Sequence, residues 1–237
     1  MKYSKDIGFA VIHRNKEINN EITHAFRNAF RVNKKFFRNK PRKFSIIICN
    51  TEQELKDQAK YYYQPWLTAT VLRNCTLVSR SPEFVAKVGR WKRKDFQSIM
   101  NHEVSHVFWL DFYGITKPVW FSEGLANHIG KNMMLPSHEL ARMMRKHHVN
   151  HSLLDYRYLK RKFNLGHIPR YPVWDNFTRY LSRRFGDKKL LQFLSVYMKK
   201  QTKKNYANSF IHIFGSTDKR LFSEFQKAIK RGVEKGY

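Results

Sequence analysis

The chain has 237 residues, 46 of them lysine or arginine against 18 aspartate or glutamate, so its formal net charge is +28 at pH 7. With 42% hydrophobic and 15% aromatic residues it can bury a sizeable core, which excludes a disordered polybasic tail. No apolar run approaches the roughly eighteen residues of a membrane span, and the first residues are not followed by a signal-type apolar core, so a protein without a transmembrane segment, in the cytoplasm, is expected.

In chain order, residues 7–13 form a short apolar strand candidate. Over residues 17–37, Ile18, Ile22, Ala25, Phe26, Ala29, Phe30 and Phe37 trace a helical face. Residues 43–50 read as a β-branched strand and residues 51–62 as a helix capped by Thr51, with Glu54 placed for a capping box. Two further strand candidates, 67–72 and 75–79, are separated by Arg73-Asn74. Cys49 and Cys75 lie in these strand-like runs and read as buried free thiols in a reducing compartment. After residue 123 the pattern is almost wholly helical: 137–145, 173–185, 187–199, 206–214 and 218–231, with Gly186-Asp187 and Gly215-Ser216-Thr217 as stop-and-cap punctuation.

Between the strands and these helices stands His102-Glu103-Val104-Ser105-His106. Positions four apart on an α-helix share a face about 6 Å apart, so both imidazoles can reach one metal ion. The carboxylate of Glu103 then lies where it can accept a proton from an attacking water and hand it to a leaving amine. Phe96, Ile99, Met100, Val104, Val107, Phe108 and Leu110 surround the motif at helical spacing, as a half-buried ligand helix requires. The competing reading is an amphipathic helix with ordinary core or surface histidines.

A third ligand is available in Glu123, within Trp120-Phe121-Ser122-Glu123-Gly124-Leu125-Ala126-Asn127, on a second helix capped by Ser122. Seventeen positions separate it from His106, enough to end the first helix near Asp111, turn at Tyr113-Gly114 and Lys117-Pro118, and start an antiparallel neighbour. Gly124 would let these two helices approach closely.

On these two motifs the chain resembles the gluzincin metallopeptidases, the thermolysin-like and aminopeptidase-N-like superfamily. The run 120–126 is similar to the Trp-x-x-Glu-Gly-x-Ala segment of its peptidase-MA-like branch. The resemblance implies His102, His106 and Glu123 as ligands of a Zn2+ ion and Glu103 as the catalytic carboxylate. It implies a zincin-like α+β fold: an N-terminal lobe, residues 1–115, with a small mixed sheet and the metal helix, and a mostly helical lobe, residues 116–237, carrying the third ligand. Peptide or protein substrate would pair with an open strand edge, for which residues 75–79 are the candidate, an interior strand being the alternative. Asn127 stands where thermolysin-like enzymes orient a ligand histidine with an aspartate, the alternative being a solvated helix residue. Tyr171 is the candidate oxyanion donor, with His151 and His167 as substitutes, although Trp174 replaces the small residue of the family pattern. The metzincin pattern is absent, since Trp109 and Phe112 occupy its glycine and histidine positions. No Gly-x-Met-Glu-Asn segment lies upstream, which favours an endopeptidase or specialised peptidase over an aminopeptidase.

His147, His148 and His151 invite a second metal site, but adjacent rings diverge on a helix. The positive charge clusters at residues 31–43, 87–94, 157–162, 199–204 and 227–235, with Trp91 offering a stacking surface. Such a chain attracts polyanions, nucleic acid among them. The second functional reading is therefore a non-catalytic, nucleic-acid-associated basic protein whose metal is structural.

Overall fold

The run Phe44–Cys49, FSIIIC, is β-branched throughout its middle, and such residues pack well only on a pleated surface. It forms β3 at the centre of a five-stranded mixed sheet in the order β1-β2-β3-β5-β4. The computed structural model describes residues 1–87, 91–114, 118–131, 135–155, 170–197 and 202–234. By its internal contacts the chain divides into two units, Met1–Gly114 and Ile115–Tyr237. The fold is α+β, with the whole sheet in the first unit.

In that unit, β2 (Ala10–Arg14) and β5 (Leu77–Arg80) run parallel to β3 on either side, while β1 (Tyr3–Asp6) and β4 (Ala69–Val71) add antiparallel at the two ends. The strand expected over residues 7–13 is β2, which starts only at Ala10, and β1 lies before the expected span. Gly8, at φ +93°, turns the chain between them, and β1 escapes a hydrophobic pattern because its residues are largely exposed. Residues 75–79 are not an edge: β5 pairs with β3 on one side and β4 on the other. Cys75 leaves the strand altogether, at φ +62° in the tight turn that closes β4 onto β5. It is half-buried, and Cys49 fully buried; neither is in a disulfide.

Helix α1 (Asn20–Phe37) starts three residues later than the periodicity suggests, because Asn19 caps it by accepting from the Ile22 amide. Its buried stripe, Ile22, Ala25, Phe26, Ala29 and Phe37, packs on α4 (Phe96–Tyr113). Helix α2 (Glu52–Ala59) has the Thr51 cap expected, and the Glu54 carboxylate also accepts from the amide of Asn50 at 2.6 Å. A single turn, α3 (Pro82–Val85), follows the sheet.

The second unit is helical among the described residues: α5 (Val119–Gly130), α6 (Ser137–Lys146), α7 (Arg170–Phe185), α8 (Asp187–Tyr197), α9 (Lys203–Phe214) and α10 (Asp218–Glu234). Its core is aromatic. Trp120 lies 5.3 Å from Phe177 between ring centroids, Phe121 lies 5.1 Å from Phe193, and Phe177 meets Phe222 at 5.1 Å. Rings of this size bury 150–250 Å² each and dominate the energy of such a core. Among the described residues no helix is long and apolar enough to cross a membrane.

Candidate metal centre

Every residue of helix α4 is buried or half-buried, so it sits inside its unit rather than on it. Aromatic contacts hold it against α1: Phe96 meets Phe26 at 6.3 Å and Phe108 meets Phe37 at 5.3 Å. Two polar ties fix its register. Buried Asn33 donates to the carbonyl of Asn101 at 3.0 Å, and the Gln97 side-chain amide donates to the carbonyl of Ala25, also at 3.0 Å. The Asn33 tie falls one residue before His102. Gly114 then ends the helix at φ +74°.

This rigid frame presents His102 and His106 with their Nε2 atoms 3.1 Å apart and their rings inclined at 74°. Two imidazole lone pairs at that distance repel unless a proton or a cation lies between them. A tetrahedral zinc ion bonded to both at 2.0–2.1 Å would put the nitrogens roughly 3.3 Å apart, so the pair is near the spacing for a shared metal. Glu123 stands in the first half of α5. It completes a group in which one ligand atom from each of His102, His106 and Glu123 lies within 4.8 Å of the others. Two neutral imidazoles and a carboxylate suit zinc and leave a coordination position open. His102 and Glu103 are each only 8% exposed, whereas His106 and Glu123 are half-buried.

Helix α5 begins at Val119, directly after Pro118, whose fixed φ of −70° suits a residue entering a helix. Ser122 is therefore not a cap. It lies inside the helix, 1% exposed, and donates to the carbonyl of Val119 at 3.2 Å. Gly124 serves a helix other than the one expected. A Cβ built there would stand 2.3 Å from the Thr178 hydroxyl and 2.7 Å from the Trp174 carbonyl oxygen, both on α7. The glycine next to Glu123 is thus the place where α5 and α7 touch backbone to backbone.

Asn127 is fully buried, which removes the solvated-residue alternative. Its carbonyl accepts from Arg179 at 3.3 Å, and Arg179 is paired at 2.8 Å with Asp175, whose side chain is wholly buried. Sequence reading missed this pair, because Asp and Arg four apart on a helix look like an ordinary surface pair. Tyr171 is half-buried in the first turn of α7, its ring edge-on to Trp174 at 5.6 Å and under the Arg170 guanidinium at 5.0 Å. Trp174 is buried and donates from its indole nitrogen to the carbonyl of Leu153 at 3.0 Å. His151 is exposed at the start of a short 3-10 turn, and His167 lies outside the described residues. Among the described residues His102, His106 and Glu123 are the one group of three or more potential ligands, so His147, His148 and His151 form no second centre. Trp91 is half-buried, and the basic run 157–162 lies outside the described residues.

No known protein-family profile matches the chain, and no curated protein does. Solved structures similar to it include an M1 zinc metallopeptidase from Deinococcus radiodurans and a variant of it bound to a Tyr-Ser-Ala substrate, both at 12% identity and TM-score 0.46. A two-domain M1 zinc metallopeptidase variant bound to L-tryptophan follows at 12% identity and TM-score 0.45. In each case 94% of this chain is covered and 50% of the other, so the chain spans half the length of those proteins. The chemistry of this chain has to come from its own side chains.

Proposed function

We propose that the chain is a zinc-dependent peptidase that hydrolyses peptide bonds in peptide or protein substrates. The observation that carries this reading is the grouping of His102, His106 and Glu123 within 4.8 Å, with Glu103 next in sequence to the first ligand. Bound there, zinc would supply a Lewis acid that polarises a scissile carbonyl and eases deprotonation of a water. His102 and His106 would hold the ion through their ring nitrogens, and Glu123 would hold it through its carboxylate and add one negative charge. The open fourth position is what separates such a centre from a structural one, which is normally closed by four protein ligands. That difference disfavours the reading as a non-catalytic basic protein with a structural metal.

Glu103 takes the proton of the attacking water on its carboxylate and returns it to the departing amine nitrogen. Tyr171 is assigned as the hydroxyl that donates to the oxyanion. Extended substrate pairs with β4, the sheet edge that α4 packs against.

Metal analysis and turnover of a peptide library by zinc-loaded protein test the proposal together. One zinc per chain is expected, retained in Glu103→Gln while turnover falls by about a hundredfold to ten-thousandfold. Undiminished turnover in that variant, or activity that survives exhaustive chelation, would end it. Tyr171→Phe should lower kcat with little change in KM.

A further inference from the structure

The buried stripe of α1 has a counterpart on the outside. Arg27, Arg31, Lys34 and Lys35 are exposed at spacings of three and four, so they stand in one row, and Arg38 and Lys40 extend the row past the helix end. From residue 27 to residue 38 the row measures about 16 Å at the helical rise of 1.5 Å. Among the described residues no carboxylate pairs with any of these six cations. The contrast with their neighbours is direct: Arg42 is tied to Asp111 at 2.7 Å and Lys43 to Asp6 at 2.5 Å. Glu21, the acidic residue of the first turn, is taken by Arg93 at 2.5 Å. Lys34 and Lys35, in the last turn, gain from the helix dipole, but Arg27 and Arg31 lie outside it and like charges at these spacings repel, so stability does not explain the row as a whole.

We propose that this face of α1 is a docking surface for the phosphate backbone of duplex nucleic acid. A duplex carries one charge per about 1.7 Å of axis with both strands counted, so about nine or ten phosphates fall within 16 Å of it, those on the near side can meet the row, and flexible Lys and Arg side chains can adapt to their spacing. The exposed residues of α1 are Asn20, His24 and the four helical cations, with no apolar side chain among them. Stable seating on a lipid surface combines such charge with apolar anchors, and the exposed residues of this face supply none. The row has no exposed Phe, Tyr or Trp for stacking, and its nearest carboxamide, Asn28, is held by Arg31 at 2.7 Å, so the contact proposed is with the phosphate backbone rather than with base edges. This surface is independent of the zinc chemistry.

The test follows a labelled 20-base-pair DNA duplex by fluorescence anisotropy across a salt series. One variant carries Arg27→Gln, Arg31→Gln, Lys34→Gln and Lys35→Gln; a control of equal charge change carries Lys60→Gln, Lys146→Gln, Lys188→Gln and Lys219→Gln, all exposed and outside the basic clusters. Circular dichroism verifies that both are folded. The α1 variant should bind about tenfold more weakly or worse, with a log–log salt slope shallower by about 3 to 4, since each lost phosphate contact removes about 0.9. The control should change the slope by less than about 1. An unchanged α1 variant, or equal losses in the two, would overturn the proposal. So would retention on phosphatidylserine vesicles with no retention on the duplex, or release of the duplex by polyglutamate at equal charge concentration.

Discussion

Gly124→Ala adds a single methyl group where the structure has no room for one. The new carbon would stand 2.3 Å from the Thr178 hydroxyl and 2.7 Å from the Trp174 carbonyl oxygen. The hydroxyl can rotate away, but the carbonyl belongs to the backbone of α7 and yields only if the two helices part. Overpacking of this kind costs about 1–3 kcal/mol, and backbone contact puts this site near the upper end. Replacing a helical glycine by alanine returns about 1 kcal/mol of propensity. The expected net loss is about 2 kcal/mol, or roughly 4–8 °C in Tm for a chain of this size if it melts in one transition. Gly232→Ala is the internal reference, because a Cβ there meets only Ser137 at 3.4 and 3.5 Å; it should be neutral or stabilising by up to about 1 kcal/mol. Since Glu123 precedes Gly124, a shifted α5 should also weaken zinc binding, read by competition with a fluorescent chelator. A Gly124→Ala protein that melts at or above the parent temperature would refute the reasoning. Unaltered zinc affinity alongside a lowered Tm would refute its second half alone.

Two further outcomes follow from the ionisable groups. The hydrogen bond from His128 at 3.3 Å, and a second from Ser182, hold the Asp187 carboxyl below the ordinary value of 3.8, and burial opposes them. A depressed folded value means stability that is present above the unfolded value and lost as pH falls through the folded one. Asp187→Asn should therefore have a lower urea midpoint than the parent at pH 7, the gap closing below about pH 3.8; a constant gap down to pH 2 would disprove the linkage. Burial, followed by the nearby Glu54, pushes the Cys49 thiol up to about 12, and burial raises Cys75 as well. Half-buried Cys75 should react with a disulfide reagent at pH 8 well before Cys49, which should wait for unfolding. Two thiols modified at one rate would contradict this.

The helices of the candidate site were legible because their signals are local. Apolar spacing around residues 96–110 marks α4, and the two histidines share a face by helical geometry alone. The start of α5 was misread because Ser122 looks like a cap, whereas the proline before Val119 sets the entry. The partner of Gly124 and the burial of Asp175 were not readable. Both depend on which helix packs against which, and nothing in the local pattern of either residue carries that information. Strand order was hidden for a similar reason. Residues 75–79 and 67–72 both read as half-buried strands, and only pairing decides that β5 is interior and β4 is the edge. The cations of α1 from Arg31 onward were visible as a charge cluster, while the inclusion of Arg27 and the alignment into a row needed the helix boundaries.

A sheet left open on both sides invites a second chain to add to it. Here β4 is three residues long, and β1 is four residues with Lys5 and the Asp6–Lys43 pair along it. A strand of three residues, about 10 Å, offers too few free amides and carbonyls to seed a growing fibril, and charged side chains on the opposite border discourage stacking there. Lengthening β4 by a few β-branched residues should therefore raise the tendency to self-associate long before it disturbs the fold.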